Sequence, residues 1–401
     1  VIFARLRALL GPAAVDRDPD NLPRATPDST DALSLVCRLA HDEGWKIRVE
    51  GLRTWLPADA PADLALSTRG LDEVVSVSPA DLVATVQAGA SMDAVRRRLA
   101  EESMWLAVDP PGRPDRTLGS VVATGTSGPL RLGFGPIRDH VLGCTVVTGD
   151  GRTVQAGGRV VKNVAGYDLT KLHVGGFGGF GIVTEVHLRL RALPRADVTL
   201  VSQGGRDNQS AVARDLLDAG ISPAALELIS PALAGESEWQ LAARFLGVET
   251  GVQAEVHRLA AETGAIWKQL PADRTADFWT GLARGSLNGA VTFRLGVLPG
   301  GIDETLDLLA RELDTGVVAA GVAGGSIRWT GDASVDRLRA VRRSCATREI
   351  PLTLERASWT VRHALGHFGA YREGVGQLVG RLRHTFDPGQ CLKVALEGSE
   401  K

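Results

Sequence analysis

Glycine crowds one part of this chain. It supplies 47 of 401 residues, against a usual level of about 7%. The excess is concentrated between Gly112 and Gly181. Glycine at that density, inside otherwise β-like sequence, means that the backbone turns tightly or is approached closely many times. Any fold assigned here must explain why so many side chains are missing.

The remaining composition narrows the class. Apolar residues make up 44% and charged residues 23%, the balance of a globular protein rather than a disordered one. The length suggests two or three domains. A formal charge of −2 leaves no cationic excess to neutralise phosphates, so nucleic acid is not the expected partner. No apolar run approaches the ~18 residues of a membrane span. The first residues, beginning on Val1, lack the regions of a signal peptide. Cys37, Cys144, Cys345 and Cys391 stand singly, without a CxxC pair, so zinc and iron–sulfur spacing is missing. A reducing cytoplasm fits these cysteines.

Local patterns predict an ordered series of elements. Ser29 or Thr30 caps a helix carrying Leu33, Val36, Leu39 and Ala40, which stops at Gly44. A strand over 46–49 runs into the loop Gly51-Leu52-Arg53-Thr54-Trp55. Strands are expected around 74–77 and 82–86, then a helix capped by Ser91. From 117 to 192 the chain reads as glycine-rich and β-rich. Gly149-Asp150-Gly151 marks a hairpin with positive φ at its turn. Ile182–Leu190 alternates as a half-buried strand. Pro194 suggests a boundary, dividing the chain into 1–194 and 195–401. Beyond it, strands at 196–202, 225–229, 239–246, 291–298, 316–320, 325–330 and 352–355 alternate with helices near 208–219, 251–263, 302–313, 334–346 and 370–385. That order predicts an α+β second domain, antiparallel in part.

Gly176-Phe177-Gly178-Gly179-Phe180-Gly181 satisfies G-x-G-x-x-G. A dinucleotide site of the Rossmann kind needs that motif to follow a strand and open a helix. Here a strand follows it, so the match is accidental. No GxxxxGK[ST] occurs either. A different use of glycine remains: several short segments can each aim N–H groups at one diphosphate, without a helix. Gly51–Thr54, Thr117-Leu118-Gly119-Ser120 and Thr124-Gly125-Thr126-Ser127-Gly128 each combine glycine with a hydroxyl. A tight turn explains any one of them, but three segments and a fourth at Gly181-Ile182 are harder to explain as turns alone.

These residues carry a family resemblance. Thr117–Ser120, Thr126–Pro129, Phe134-Gly135, Arg138-Asp139 and Val141–Gly143 resemble the flavin-binding core of the vanillyl-alcohol-oxidase or PCMH-type FAD domain. The run Val160–Leu172, with Gly175–Thr184, resembles the FAD-binding subunit of bacterial glycolate oxidase. The resemblance covers about residues 15–194. It implies a PCMH-type FAD-binding domain of two α+β subdomains, followed by a smaller α+β substrate or docking domain over 195–401. It also implies hydride transfer from a small 2-hydroxy acid to flavin N5, with electrons passed on to partners. A second flavoprotein subunit and an iron–sulfur subunit are the expected partners. The location expected is cytoplasmic, or peripheral to the inner membrane face through those partners. By the same resemblance Gly51, Arg53, Thr54, Gly119, Ser120, Thr124, Ser127, Gly128, Asn163, Tyr167, Asp168, Gly181 and Ile182 would hold FAD.

The departures from that pattern are specific. Relatives usually carry Gly-x-Gly followed by Ser or Thr in the first loop, whereas Arg53 stands at the second glycine here. A positive φ there costs about 1–2 kcal/mol for a non-glycine residue, which a guanidinium–phosphate pair would offset in part. Gly176 replaces a usual Ser and Gly179 a usual Thr. Gly389–Lys393 lacks the Asn-Pro-Gly-Arg expected there. With no His between Gly51 and Ala58, no Cys between Trp105 and Gly119, and Cys144 in a strand, noncovalent FAD is expected. Arg53 and the altered C-terminus keep open a non-catalytic structural subunit of the same fold, and a standalone oxidase is a third reading. His363 and His367 have helical spacing but no third ligand, and no His-x-His occurs; no metal site is expected. The catalytic residues stay unknown, with Arg294 and Lys162 as candidates for meeting an acid substrate. Asp168 could equally cap the helix that follows it.

Overall fold

A computed structural model describes residues 1–159, 168–369 and 373–392. Its first unit is a four-stranded sheet in the order Val15–Arg17, Pro23–Ala25, Leu64–Ser67, Ile47–Glu50. The first pair is antiparallel and the other two pairings are parallel. The helix Thr30–Glu43 forms where its caps predict. Ser29 accepts the Ala32 N–H, Gly44 closes it in the left-handed region, and Leu33, Val36, Cys37 and Ala40 are buried.

The second unit is a five-stranded antiparallel sheet, Val74–Ser78, Val83–Gln87, Ile182–Arg189, Val141–Val147, Thr153–Gly157. Met92–Ala100, capped by Ser91, adds Met92, Val95 and Leu99 to its core. The stretch expected to be glycine-rich and β-rich also holds a helix, Leu118–Thr124. Thr117 explains it: its hydroxyl accepts the Ser120 N–H at 3.2 Å and starts the turn. At the 149–151 hairpin only Gly151 takes a positive φ, 79°, so the turn is not the type with two such residues. Ile182 directly follows the Gly176–Gly181 loop as the start of a strand.

The third unit is an eight-stranded antiparallel sheet. Its order is Lys268–Gln269, Ala196–Gly204, Trp239–Gly247, Ala225–Ile229, Val317–Gly321, Ser326–Gly331, Val291–Gly296, Leu352–Arg356. One face is apolar. Leu226, Leu228, Leu241, Phe293, Leu295, Ile327, Trp329 and Leu354 pack there with residues of the helices Arg206–Asp218, Glu249–Thr263, Ile302–Glu312 and Val335–Ala346. The alternate positions carry Glu227, Ser326, Arg328, Thr330, Thr292 and Arg294. A strand with period two cannot hide those groups among the helices. They face the glycine-rich domain instead: Arg328 donates from Nη2 to the Ser127 carbonyl at 3.0 Å.

The chain end departs from a clean division at 195. Cys391 and Leu392 sit in the core of the first unit with Leu33, Leu64 and Leu66. The Ile47 N–H donates to the Cys391 carbonyl at 2.9 Å, and the Gly149 N–H to the Phe386 carbonyl at 2.8 Å. Among the described residues no helix is long and apolar enough to cross a membrane.

Candidate functional site

Residues from all four glycine-bearing segments converge, the third contributing only Thr124. Gly51, Arg53, Thr54, Gly119, Ser120, Thr124, Gly181 and Ile182 line one cleft of about 170 Å³ between the first two sheets. The missing side chains explain the approach. A Cβ at Gly51 would stand 2.6 Å from Thr117 Oγ1. Gly181 has φ 131°, and a Cβ there would stand 2.5 Å from Val146. Among the described residues the backbone N–H groups of Leu52 through Leu56 have no acceptor. Trp55 adds a buried Nε1–H that has none either. A run of unanswered donors in one concavity is suited to an anion with several oxygens.

Arg53 has φ 56°, so the strained backbone is real. Its side chain does not fill the cleft. The guanidinium bonds Asp18 at 2.5 Å and Glu50 at 2.8 Å. Arg48 also pairs with Asp18, and Arg24 reaches Glu50 at 3.7 Å. Three guanidiniums thus answer the acids beneath the loop, and against desolvation the Leu22 N–H, then Arg53 and Arg48, hold Asp18 below the usual carboxylate range.

Arg116 was not singled out by its sequence, because a lone Arg in a Pro/Gly-rich stretch has no periodic signature. It is 0% exposed. It donates to Ser120 Oγ at 3.0 Å, the Pro111 carbonyl at 2.9 Å and Thr124 Oγ1 at 2.6 Å. It stacks 4.4 Å from the Trp55 ring centroid. No carboxylate bonds it among the described residues, and burial pulls its pKa down to about 9, with the Glu355 charge opposing from a distance. A buried cation bonded only to neutral oxygens, against the wall of a donor-lined cleft, is matched by an anionic ligand.

The remaining expected residues are dispersed. Ser127 and Gly128 lie on a second cavity, against the eight-stranded sheet. Asp168 lies outside the cleft lining: it accepts from the Thr170 hydroxyl and pairs with Lys171 at 3.1 Å, at the start of a helical turn. Lys162, Asn163 and Tyr167 fall outside the described residues. Arg294, proposed to meet an acid, meets one of the protein's own. Glu355, 1% exposed, accepts from Arg294 Nε at 3.1 Å and Arg328 Nε at 2.9 Å. Both cations hold Glu355 ionised against its burial. His363 and His367 part company. His363 packs on Trp359, while His367 lies 4.0 Å from the Phe177 ring on the cleft wall. Burial lowers the pKa of His367 to about 4.

Residues 24–157 match the family model described as an FAD binding domain. Glycolate oxidase subunit GlcE of Escherichia coli is 38% identical over 128 residues, covering 32% of this chain and 37% of that protein. Glycolate oxidase subunit GlcD of Bacillus subtilis is 30% identical over 207 residues, covering 51% and 44%. D-2-hydroxyglutarate dehydrogenase of Xanthomonas citri is 34% identical over 179 residues, covering 44% and 38%. The chain thus spans less than half the length of these curated relatives. In structure it resembles 4-ethylphenol oxidase of Gulosibacter chungangensis, with TM-score 0.76 at 12% identity over 98% of this chain and 95% of that one. Alkyldihydroxyacetonephosphate synthase gives TM-score 0.74 at 14% identity, covering 98% and 84%. At those identities the likeness is one of fold. The donor-lined cleft falls largely inside residues 24–157, and that part of the chain is similar to the FAD binding domain of these relatives.

Proposed function

We propose that this chain is the FAD-binding subunit of a glycolate-oxidase-like dehydrogenase, which oxidises a small 2-hydroxy acid and passes electrons to partner subunits. The residues present fit the cofactor. The free N–H groups of Leu52–Leu56, the Trp55 indole N–H and the buried Arg116 answer a diphosphate. The observation that carries the reading is that run of unpartnered amides beside a buried guanidinium to which no carboxylate is bonded among the described residues. FAD supplies the two-electron acceptance of a hydride from the C–OH carbon. The protein's part is to hold it, orient it and exclude water. Gly51 and Gly119 let the loops close, Ser120 and Thr124 offer hydroxyls, and Gly181 and Ile182 close the wall. The glycolate oxidase subunits among its relatives support a multisubunit setting. On the proposed reading its partners are a second flavoprotein and an iron–sulfur protein, and its location is cytoplasmic or membrane-peripheral.

A second reading, a non-catalytic subunit of this fold, is favoured by one observation. The paired arginines best placed to grip an acid are engaged by Glu355. The purified chain distinguishes the two readings. A yellow protein with one FAD per chain that is bleached anaerobically by glycolate or D-lactate supports the first. A colourless chain that takes up no added FAD removes it.

A further inference from the structure

A second cavity, of about 190 Å³, lies between the segment Ser127–Leu132 and the polar face of the eight-stranded sheet. Two unanswered groups of opposite character line it. Glu227 is only 8% exposed, yet its carboxyl has no hydrogen-bond partner among the described residues. It projects over Gly321, its strand neighbour, where a Cβ would stand 3.0 Å from Oε1. Arg131 lies at the mouth, exposed, and among the described residues its guanidinium has no acceptor. Arg131 and Glu227 form no ion pair with each other. Arg328 supplies a second cation on the same lining, held by Glu355 and the Ser127 carbonyl. Ser326 adds a hydroxyl.

The Glu227 carboxyl opens onto the cavity with no group of the described residues bonded to it, so its hydrogen-bonding capacity is left to whatever occupies the cavity. Burial, reinforced by the nearby Asp109 charge, raises the Glu227 pKa to about 8, with Arg328 opposing. Glu227 therefore holds its proton near neutrality, and a protonated carboxyl both donates and accepts. A free cation at the mouth and a neutral acid at the wall are two separate points of recognition. They match a small molecule bearing a carboxylate at one end and a hydroxyl or carbonyl oxygen at the other.

We propose that this cavity binds a small hydroxy- or oxo-carboxylate, its carboxylate on Arg131 and its other oxygen on Glu227, with Arg328 held on Glu355 as a nearby positive charge. The inference rests on the reading above for the substrate class, but its test is one of binding. The full chain, folded and assayed separately for FAD content, is titrated with glycolate and with acetate, which lacks the hydroxyl. Saturable binding of glycolate at least fivefold tighter than acetate is expected. Arg131→Ala weakens glycolate tenfold or more. Glu227→Ala removes the preference over acetate, and Glu227→Gln retains most of it. The proposal is overturned if the folded chain binds no glycolate, or if Arg131→Ala and Glu227→Ala leave binding and preference unchanged. A flavin-loaded chain that binds no glycolate loses this site but keeps its cofactor. A flavin-free chain with the expected variant pattern keeps the site and loses the redox reading.

Discussion

At the residue scale, charge balance under burial decides what each group can do. Arg53 occupies a left-handed position at a cost of about 1–2 kcal/mol, but its guanidinium lies on Asp18 and Glu50. Arg53→Gly relieves the backbone and leaves those buried acids short of a partner, so it lowers stability by about 1–3 kcal/mol without tightening FAD; thermal melting and flavin titration read the two effects. Arg116→Gln removes the buried charge at the cleft wall. It should weaken FAD by about 10–100-fold, the worth of charge-assisted hydrogen bonds at ~1.5–3 kcal/mol. Glu227 makes stability depend on pH. Its folded pKa, about 8, lies above its ordinary 4.5. The stability from this proton is therefore full below about 4.5 and is lost as pH rises through about 8. Glu227→Gln cannot ionise, so the melting temperature of the variant relative to the parent should be higher at pH 9 than at pH 5.

At the scale of elements, two features fall outside what local patterns convey. The helix Leu118–Thr124 starts where one hydroxyl finds one amide, within sequence whose glycines read as β-strand and turn. The chain end, from Phe386 onward, closes the first core. Asp387 accepts the Cys391 and Leu392 N–H groups at 2.8 Å each, which holds both residues inward. Leu392→Ala should cost about 2–5 kcal/mol, measured by denaturant unfolding, although Leu392 lies far in sequence from the core it fills. Close packing of loops is as demanding. A Cβ at Gly128 would stand 1.9 Å from the Asp109 carbonyl, so Gly128→Ala should destabilise by about 1–3 kcal/mol.

At the scale of the whole molecule, function lies where units meet. The first two sheets frame the donor-lined cleft, and the polar face of the third turns toward the glycine-rich domain. That face explains why the second half, whose strands and helices were largely legible, gave only a weak reading of its chemistry. Arg294 could be placed on a strand, but its partner Glu355 is 61 residues away. Arg328→Met should cost about 1–3 kcal/mol by taking from the buried Glu355 one of its two hydrogen-bonded cations. Adding Glu355→Gln should recover part of that loss in a double-mutant cycle.

The sequence alone determined the local geometry: caps at Ser29 and Ser91, the alternation through Ile182–Leu190, and glycines at positions no side chain can occupy. These follow from backbone sterics and short-range hydrogen bonds, which act over a few residues. Eight of the residues singled out by the resemblance line one cleft. Tertiary structure decided the rest: where Arg53 points, that Arg116 is buried among neutral oxygens, that the chain end returns to the first core, and that Glu227 and Arg131 share a cavity. Each depends on charges and contacts between residues distant in sequence. Neither periodicity nor spacing records those distances, because only packing brings such groups together.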